Sequence, residues 1–406
     1  MRYRSRLFGL TTAVLLLLSA GVMIAAQDAS PVADAAGPGY AVVASGLTSP
    51  RGFTWGPDGT LYVALAGSGG PNAATEEAPT TAAVGPWLGG PTAAVVSIAA
   101  GGPVAVVTGL PSSIDATGSI LGADDVAFLG GELYAAVDGG GTVHGNPDQP
   151  SGIYRVSDGA AMVVADLSAW VRANPVATVP LDYDPDAAGY RMVADEAGEM
   201  LWVLDPNSGQ VLSVTPDGTV ARIADLSAQH PVPAAIVADP AGGVYVGYLT
   251  AVPFPDGASV VVHVARDGTV TDVWTGMTVV TGLAVGADGT LYALQMSTGN
   301  LEEPPFLTPG SGQVVRQTGP DSSEIVAEGL MFPITLGFGP DGDMYVSLPA
   351  LGAGGGEGVI VNLDAAAGIM EASPVPEAAV ACEPIPQTLS APAAEASPAA
   401  EASPVA

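Results

Sequence analysis

Three ten-residue stretches in this chain are nearly the same: WGPDGTLYVA at 55–64, VGADGTLYAL at 285–294 and FGPDGDMYVS at 338–347. In each, an apolar strand runs into Pro-Asp-Gly or its equivalent, and a second strand starts with an aromatic at its second position. Pro presets φ, Asp bonds its own backbone and Gly accepts positive φ, so the motif is a β-hairpin turn. Weaker copies stand at 126–137, 193–204 and 236–247, which makes six hairpins with Tyr62, Tyr134, Trp202, Tyr245, Tyr292 and Tyr345 at equivalent places. The steps between these aromatics run from 43 to 72 residues, a spacing that suits propeller blades with loops of unequal length.

A second strand pair follows each hairpin, at 93–110, 151–167, 209–226, 258–277 and 311–330. Four antiparallel strands make one blade. The sixth unit has only GEGVIVNLD (356–364) after its hairpin, while GYAVVASGL (39–47) precedes the first hairpin and has the sequence of an outer strand. The spacing therefore predicts an all-β chain, a six-bladed β-propeller over 39–364, with the N-terminal strand completing the last blade and removing its open edge. A β-sandwich built from similar hairpins is the alternative.

The ends of the chain differ from this middle. Residues 1–26 have a basic start (Arg2, Arg4, Arg6) and an uncharged apolar run from Leu7 to Ala26. This layout predicts a secretory signal peptide cleaved near Ala26, with an extracellular or cell-envelope destination. The run is just long enough to span a bilayer, so a retained anchor is the alternative. Residues 27–38 read as a linker. Residues 365–406 are rich in Pro, Ala, Ser and Glu, repeat EASP three times, and read as a disordered tail. The single cysteine, Cys382, lies in that tail, so the propeller has neither a disulfide nor a thiolate metal site.

Charge narrows the partners. Asp and Glu number 41 against 10 basic residues, all of them Arg, for a formal net of −31. Such a chain repels phosphate backbones and is not expected to bind nucleic acid. It is expected to be a monomer that meets a small molecule, a glycan or a protein.

The position of that encounter follows from loop lengths. The Asp-Gly turns share one face and are uniformly tight. The opposite face carries the long connections: 66–92, 138–150, 248–257, 295–310 and 348–358, together with the crossing 168–191. Elaborate loops on a rigid scaffold are where binding usually resides. The inner strands begin on that same face with Arg51, Asp124, Asp125, Arg191, Thr281 and Thr335. Arg51 facing Asp124 and Asp125 could bind a polar ligand, the two acids could hold a divalent cation at the channel mouth, or Arg and Asp could simply neutralise one another. Of the three histidines, only His144 lies in a loop well placed on the elaborated face, and as a general base it would need an orienting acid. His230 sits at a blade crossing and His263 in mid-strand. Trp87, Tyr248, Phe254 and Phe306 read as exposed loop aromatics able to stack on a ligand or to pin the loops. No G-x-S-x-G elbow, P-loop or paired metal histidines occur.

The segments SPRGFTWGPDGTLYVALAGSGG (49–70), GLPSSIDATGSILGADDVAF (109–128), VYVGYLTAVPFPDGASVVVHV (244–264) and TGLAVGADGTLYALQMSTGN (281–300) resemble the ScyD/ScyE family of exported bacterial β-propellers, within the broader NHL-like and gluconolactonase-like group. The resemblance covers about residues 39–364 and implies a six-bladed exported propeller without supplying catalytic residues. The chain departs from the family pattern in having Tyr248 and Gln295 where acids follow the fourth and fifth hairpins, and Asp124 where a His precedes the second. Three functions stay open: a binding or scaffold propeller without chemistry or cofactor, a metal-dependent lactonase-like hydrolase, and a quinone-cofactor dehydrogenase, for which the basic residues are few.

Overall fold

A computed structural model describes residues 40–76 and 85–364. The signal segment 1–26, the linker 27–38, the tail 365–406 and Cys382 lie outside the described residues. Six antiparallel sheets follow one another along the chain. Blade 1 uses Pro50–Trp55, Leu61–Leu65, Leu88–Ala99 and Gly102–Ile114, with the two-residue strands Asn72–Ala73 and Ile120–Leu121 added at its loop end. Blade 2 runs through Ala123–Leu129, Glu132–Val137, Gly152–Ser157 and Ala160–Asp166; blade 3 through Arg191–Asp195, Met200–Asp205, Gln210–Val214 and Val220–Asp225. Blade 4 uses Pro233–Ala238, Val244–Tyr248, Ser259–Val264 and Val270–Met277; blade 5 uses Val280–Val285, Leu291–Gln295, Gly312–Gly319 and Ser322–Leu330.

Blade 6 closes the ring as the sequence predicts. Thr335–Phe338, Met344–Leu348 and Gly358–Asn362 are joined by Ala41–Leu47 on the outside, in antiparallel register with Val42 opposite Val361 and Leu47 opposite Gly358. The architecture is a six-bladed β-propeller. The hairpin turns behave as their residues require. Asp58, Asp288 and Asp341 each accept, through Oδ1, the backbone N–H two residues on, at 3.0, 2.9 and 3.1 Å. Gly59 follows with φ of 81°, in the region where a side chain is strained.

The core lies between the blades rather than within any one of them. Six apolar clusters each join the facing sides of two neighbours. Leu201, Val203 and Leu212 of blade 3 pack on Tyr134, Ala136 and Ile153 of blade 2. Leu61 and Val63 of blade 1 pack on Leu47, Tyr345 and Ile360 of blade 6. The last of these seals first blade to last, so the N-terminal strand is held by side-chain burial as well as by its ladder. The repeated aromatics edge these seams: Tyr62 meets Phe128 at 5.2 Å, Tyr345 meets Trp55 at 5.1 Å and Tyr292 meets Phe338 at 5.4 Å, all edge-on. Among the described residues no helix is long and apolar enough to cross a membrane. The one α-helix among them, Leu167–Ala173, opens the crossing from blade 2 to blade 3 and is capped by Asp166, whose carboxylate accepts from Ala169 N at 2.8 Å.

Candidate functional site

The inner strands bring Arg51, Asp124, Asp125 and Arg191 together at the loop-side end of the channel, all four buried. Arg51 Nε stands 3.3 Å from Asp124 Oδ1, and its two Nη atoms donate to Ala350 O at 2.7 Å and Ile120 O at 2.6 Å. Arg191 reaches Asp125 Oδ1 at 4.0 Å and donates to Asp124 O at 2.9 Å and Ile334 O at 3.1 Å. Each guanidinium thus matches one acid and ties loops of different blades to the inner strands. The arrangement suits mutual neutralisation, although Arg51 Nε, Asp124 Oδ1 and Arg191 Nε have no hydrogen-bond partner among the described residues. Asp125 also accepts Met192 N at 3.0 Å, and it lies so close to Gly52 that a Cβ there would collide with its carboxylate. Burial pushes its carboxyl up to about 6, against the pull of Arg191 and two backbone N–H groups.

Asp138, the first residue after the second strand of blade 2, adds a third carboxyl to this cluster. It accepts Gly122 N at 3.0 Å. Burial first, and then the neighbouring charge and hydrogen bond of Asp124, hold its carboxyl well above the usual range, while Arg51 opposes. Among the described residues no group of three or more His, Cys, Asp or Glu side chains is arranged to hold a metal ion. Asp124 and Asp125 each face an arginine.

Above this floor lies a cavity of about 320 Å³, at the lower end of the ligand-pocket range of about 300–1,000 Å³. Its walls come from the loops of blades 1 to 4. Trp87 and Leu121 arrive from blade 1, Asp138 from blade 2, and Asp182, Asp184 and Tyr190 from the crossing into blade 3. His230 and Val232 come from the crossing into blade 4, and Leu249 and Phe254 from the loop after its second strand. Most of this wall is apolar.

The crossing segment is fixed by the two loop histidines. His144 Nε2 stands 3.0 Å from Asp184 Oδ2, and His230 Nε2 stands 3.1 Å from Asp182 Oδ1. Asn207 brackets the same stretch, donating to Asp182 O at 3.1 Å and accepting Asp184 N at 2.5 Å. Farther along, Asp186 accepts Val143 N at 2.8 Å and meets Arg172 at 3.2 Å. Burial raises the Asp184 carboxyl, but the hydrogen bond and charge of His144 outweigh it and leave the group below its ordinary value.

The sequence-predicted residues therefore divide. Arg51, Asp124, Asp125 and Arg191 form the floor cluster, and Phe254 lines the cavity. His144 has the orienting acid a base would need, but it is fully buried and acts from behind, on Asp184. Trp87 is not an exposed stacking platform: it is buried edge-on against His144 at 5.1 Å, because the blade 1 loop folds down onto the blade 2 loop. Tyr248 and Phe306 are half-buried, and Tyr248 lines a separate groove with Asp225, Pro255 and Asp272. Burial raises the Tyr248 hydroxyl. Thr281 is buried and donates to Pro333 O at 3.2 Å, tying blade 5 to the crossing into blade 6.

No protein-family model matches the chain, and no curated protein does. Solved structures do match. The chain is similar to a protein assigned as an oxidoreductase (glucose dehydrogenase) from Thermus thermophilus, at 14% identity over 80% of this chain and 99% of that one, with a TM-score of 0.52. It is also similar to the PQQ-bound aldose sugar dehydrogenase of Streptomyces coelicolor, at 15% identity over 79% and 96% with a TM-score of 0.48. A protein assigned as a gluconolactonase matches at 14% identity over 80% and 92%, with a TM-score of 0.46. The likeness is one of fold. Fold by itself leaves the chemistry open.

Asp138, Asp182, Asp184, Tyr190 and His230 are the residues that sequence reasoning missed. Asp138 carried a usable signal, as an acid placed where a strand gives way to a long loop. The other four lie in crossings, where hydrogen-bond partners are 23 to 48 residues apart in sequence.

Proposed function

We propose that the protein is an exported binding propeller that holds a small, mostly apolar organic molecule in the cavity at the channel mouth. The observation that carries this reading is the convergence of loops from four blades on one cavity of ligand size with mainly apolar walls. Export rests on the basic start and apolar run of residues 1–26, and membership of the ScyD/ScyE family on the quoted motifs. The floor cluster serves as scaffold in this reading, since each arginine stands against an acid and ties loops of other blades to its inner strand.

The test is a thermal-shift screen with small aromatic alcohols, acids and amines, run on the wild type and on Ala187→Trp, which places an indole into the cavity from its half-buried wall. Some members of the panel raise the melting temperature of the wild type and leave Ala187→Trp unmoved. A panel without effect on the wild type, or with equal effect on both, overturns the reading. A purified protein that carries stoichiometric metal, loses melting temperature with chelator and opens a lactone ring would favour the hydrolase instead.

A further inference from the structure

Most polar side chains on the cavity wall are already engaged. Asp182 faces His230 and Asp184 faces His144. Asn207 donates to Asp182 O, the Ser119 hydroxyl meets Thr117 Oγ1 at 3.2 Å, and Asp138 accepts Gly122 N. Tyr190 differs. It is half-buried and lines the cavity, and the Arg191 guanidinium lies over its ring at 4.9 Å, which fixes the ring on the floor cluster. Burial and the charges of Arg191, Arg51, Asp124 and Asp138 act on its hydroxyl, but none of the described residues hydrogen-bonds it. Trp87 Nε1, His230 Nδ1 and Thr250 Oγ1 also lack partners, yet those atoms are closed off. The Tyr190 hydroxyl is not among the closed atoms; it keeps open surface on a side chain of the cavity wall.

This hydroxyl constrains what can fill the cavity. A ligand that occupies the space shuts water out, and a hydroxyl left there without a partner is costly. The ligand therefore brings an acceptor to the phenolic O–H. Its charge is constrained as well. Asp182, Asp184 and the net charge of −31 disfavour an anion. A cation finds both carboxylates facing histidines, and Asp138 held towards its neutral form by burial and then by Asp124. An uncharged oxygen is left. A carbonyl oxygen accepts and brings no donor of its own, whereas an alcohol adds an O–H that the engaged acids do not receive. Leu249, Val252 and Phe254 on the same wall suit a hydrocarbon body.

Resting on the reading of this cavity as the binding site, we propose that its ligand is an uncharged carbonyl compound, a ketone or ester with a hydrocarbon body, whose carbonyl oxygen accepts from the Tyr190 hydroxyl. Tyr190 is then the residue that sets the specificity of the cavity.

Acetophenone and α-methylstyrene separate the carbonyl from the shape, since the alkene has a methylene group where the ketone has its oxygen. Both are titrated by saturation-transfer NMR into the full chain, into Tyr190→Phe and into Ala187→Trp, each variant checked for native circular dichroism. The ketone binds the wild type about fivefold more tightly than the alkene, the worth of one neutral hydrogen bond. Tyr190→Phe removes the hydroxyl and keeps the ring; it closes the gap by weakening the ketone and leaves the alkene unchanged. Ala187→Trp abolishes binding of both. Equal affinity of the wild type for the two probes, or a gap that survives in Tyr190→Phe, overturns the carbonyl proposal and leaves the cavity reading standing. Absence of binding by either probe, or ketone binding undiminished in Ala187→Trp, overturns both.

Discussion

The two ends of the propeller use aspartate in opposite ways. On the turn face Asp58, Asp267 and Asp288 are exposed, and the backbone N–H of the threonine two residues on holds each carboxyl below its usual range. At the channel mouth Asp125 and Asp138 are buried and pushed upward by that burial. The first kind stabilises a local turn and is repeated from blade to blade. The second kind is never repeated, since each acid answers to residues from other blades. Cavities follow the same division. A broad cleft of about 680 Å³ opens on the turn face between blades 2 and 3, but Glu132, Glu196, Glu199 and Asp217 on its walls are solvated. The smaller cavity at the mouth has the apolar walls that bury a ligand. Repetition marks scaffold here, and its loss marks the working face.

The contrast can be broken at several points, of decreasing size. Arg51→Met removes the partner of a fully buried Asp124 and the donor to two carbonyls. It is expected to lower stability by about 3–5 kcal/mol, read from urea unfolding. A loss under about 1 kcal/mol would mean that the cluster is solvated.

Asp125 gives a pH signature. Its folded pKa of about 6 lies above the unfolded value near 3.8. Its contribution is therefore fully present below pH 4 and lost as pH rises through 6, a change of about 3 kcal/mol at about 1.4 kcal/mol per unit. The groups that face it are Arg191, Asp124 and the Met192 and Val126 N–H groups. The difference between wild type and Asp125→Asn should carry this slope between pH 4 and 6.5. A difference that stays flat would show Asp125 to be solvated.

Glycines sharpen the comparison further. A Cβ at Gly52 would lie 2.8 Å from Asp125 Cα, and backbone cannot swing away. Gly52→Ala should therefore cost about 3 kcal/mol. At Gly59 nothing lies within 4 Å and only the positive φ resists, so Gly59→Ala should cost about 1 kcal/mol. The same unfolding curves rank the two, and the reverse order would break the assignment of crowded mouth and free turn.

The legibility of the sequence follows this division. A hairpin turn is encoded by consecutive residues, as in Gly56 to Thr60, so the recurrence of such turns counts the blades and even places Ala41–Leu47 in blade 6. Arg51, Asp124, Asp125 and Arg191 were legible as a cluster because all four stand within the first three residues of inner strands. The cavity was not. Asp184 meets His144 across 40 positions and Asp182 meets His230 across 48, through crossings with no period for a pattern to expose. Trp87 misled for a related reason: a loop aromatic reads as exposed until the loop beneath it is known.

Hydrogen exchange followed by mass spectrometry, with and without a saturating panel compound that raises the melting temperature, tests the central claim most directly. Protection should appear in the cavity segments 182–190, 230–234 and 249–254 and leave the turns at 56–60, 286–290 and 339–343 unchanged. Protection centred on the turns, or on the cleft between blades 2 and 3, would contradict the assignment of function to the loop-rich face.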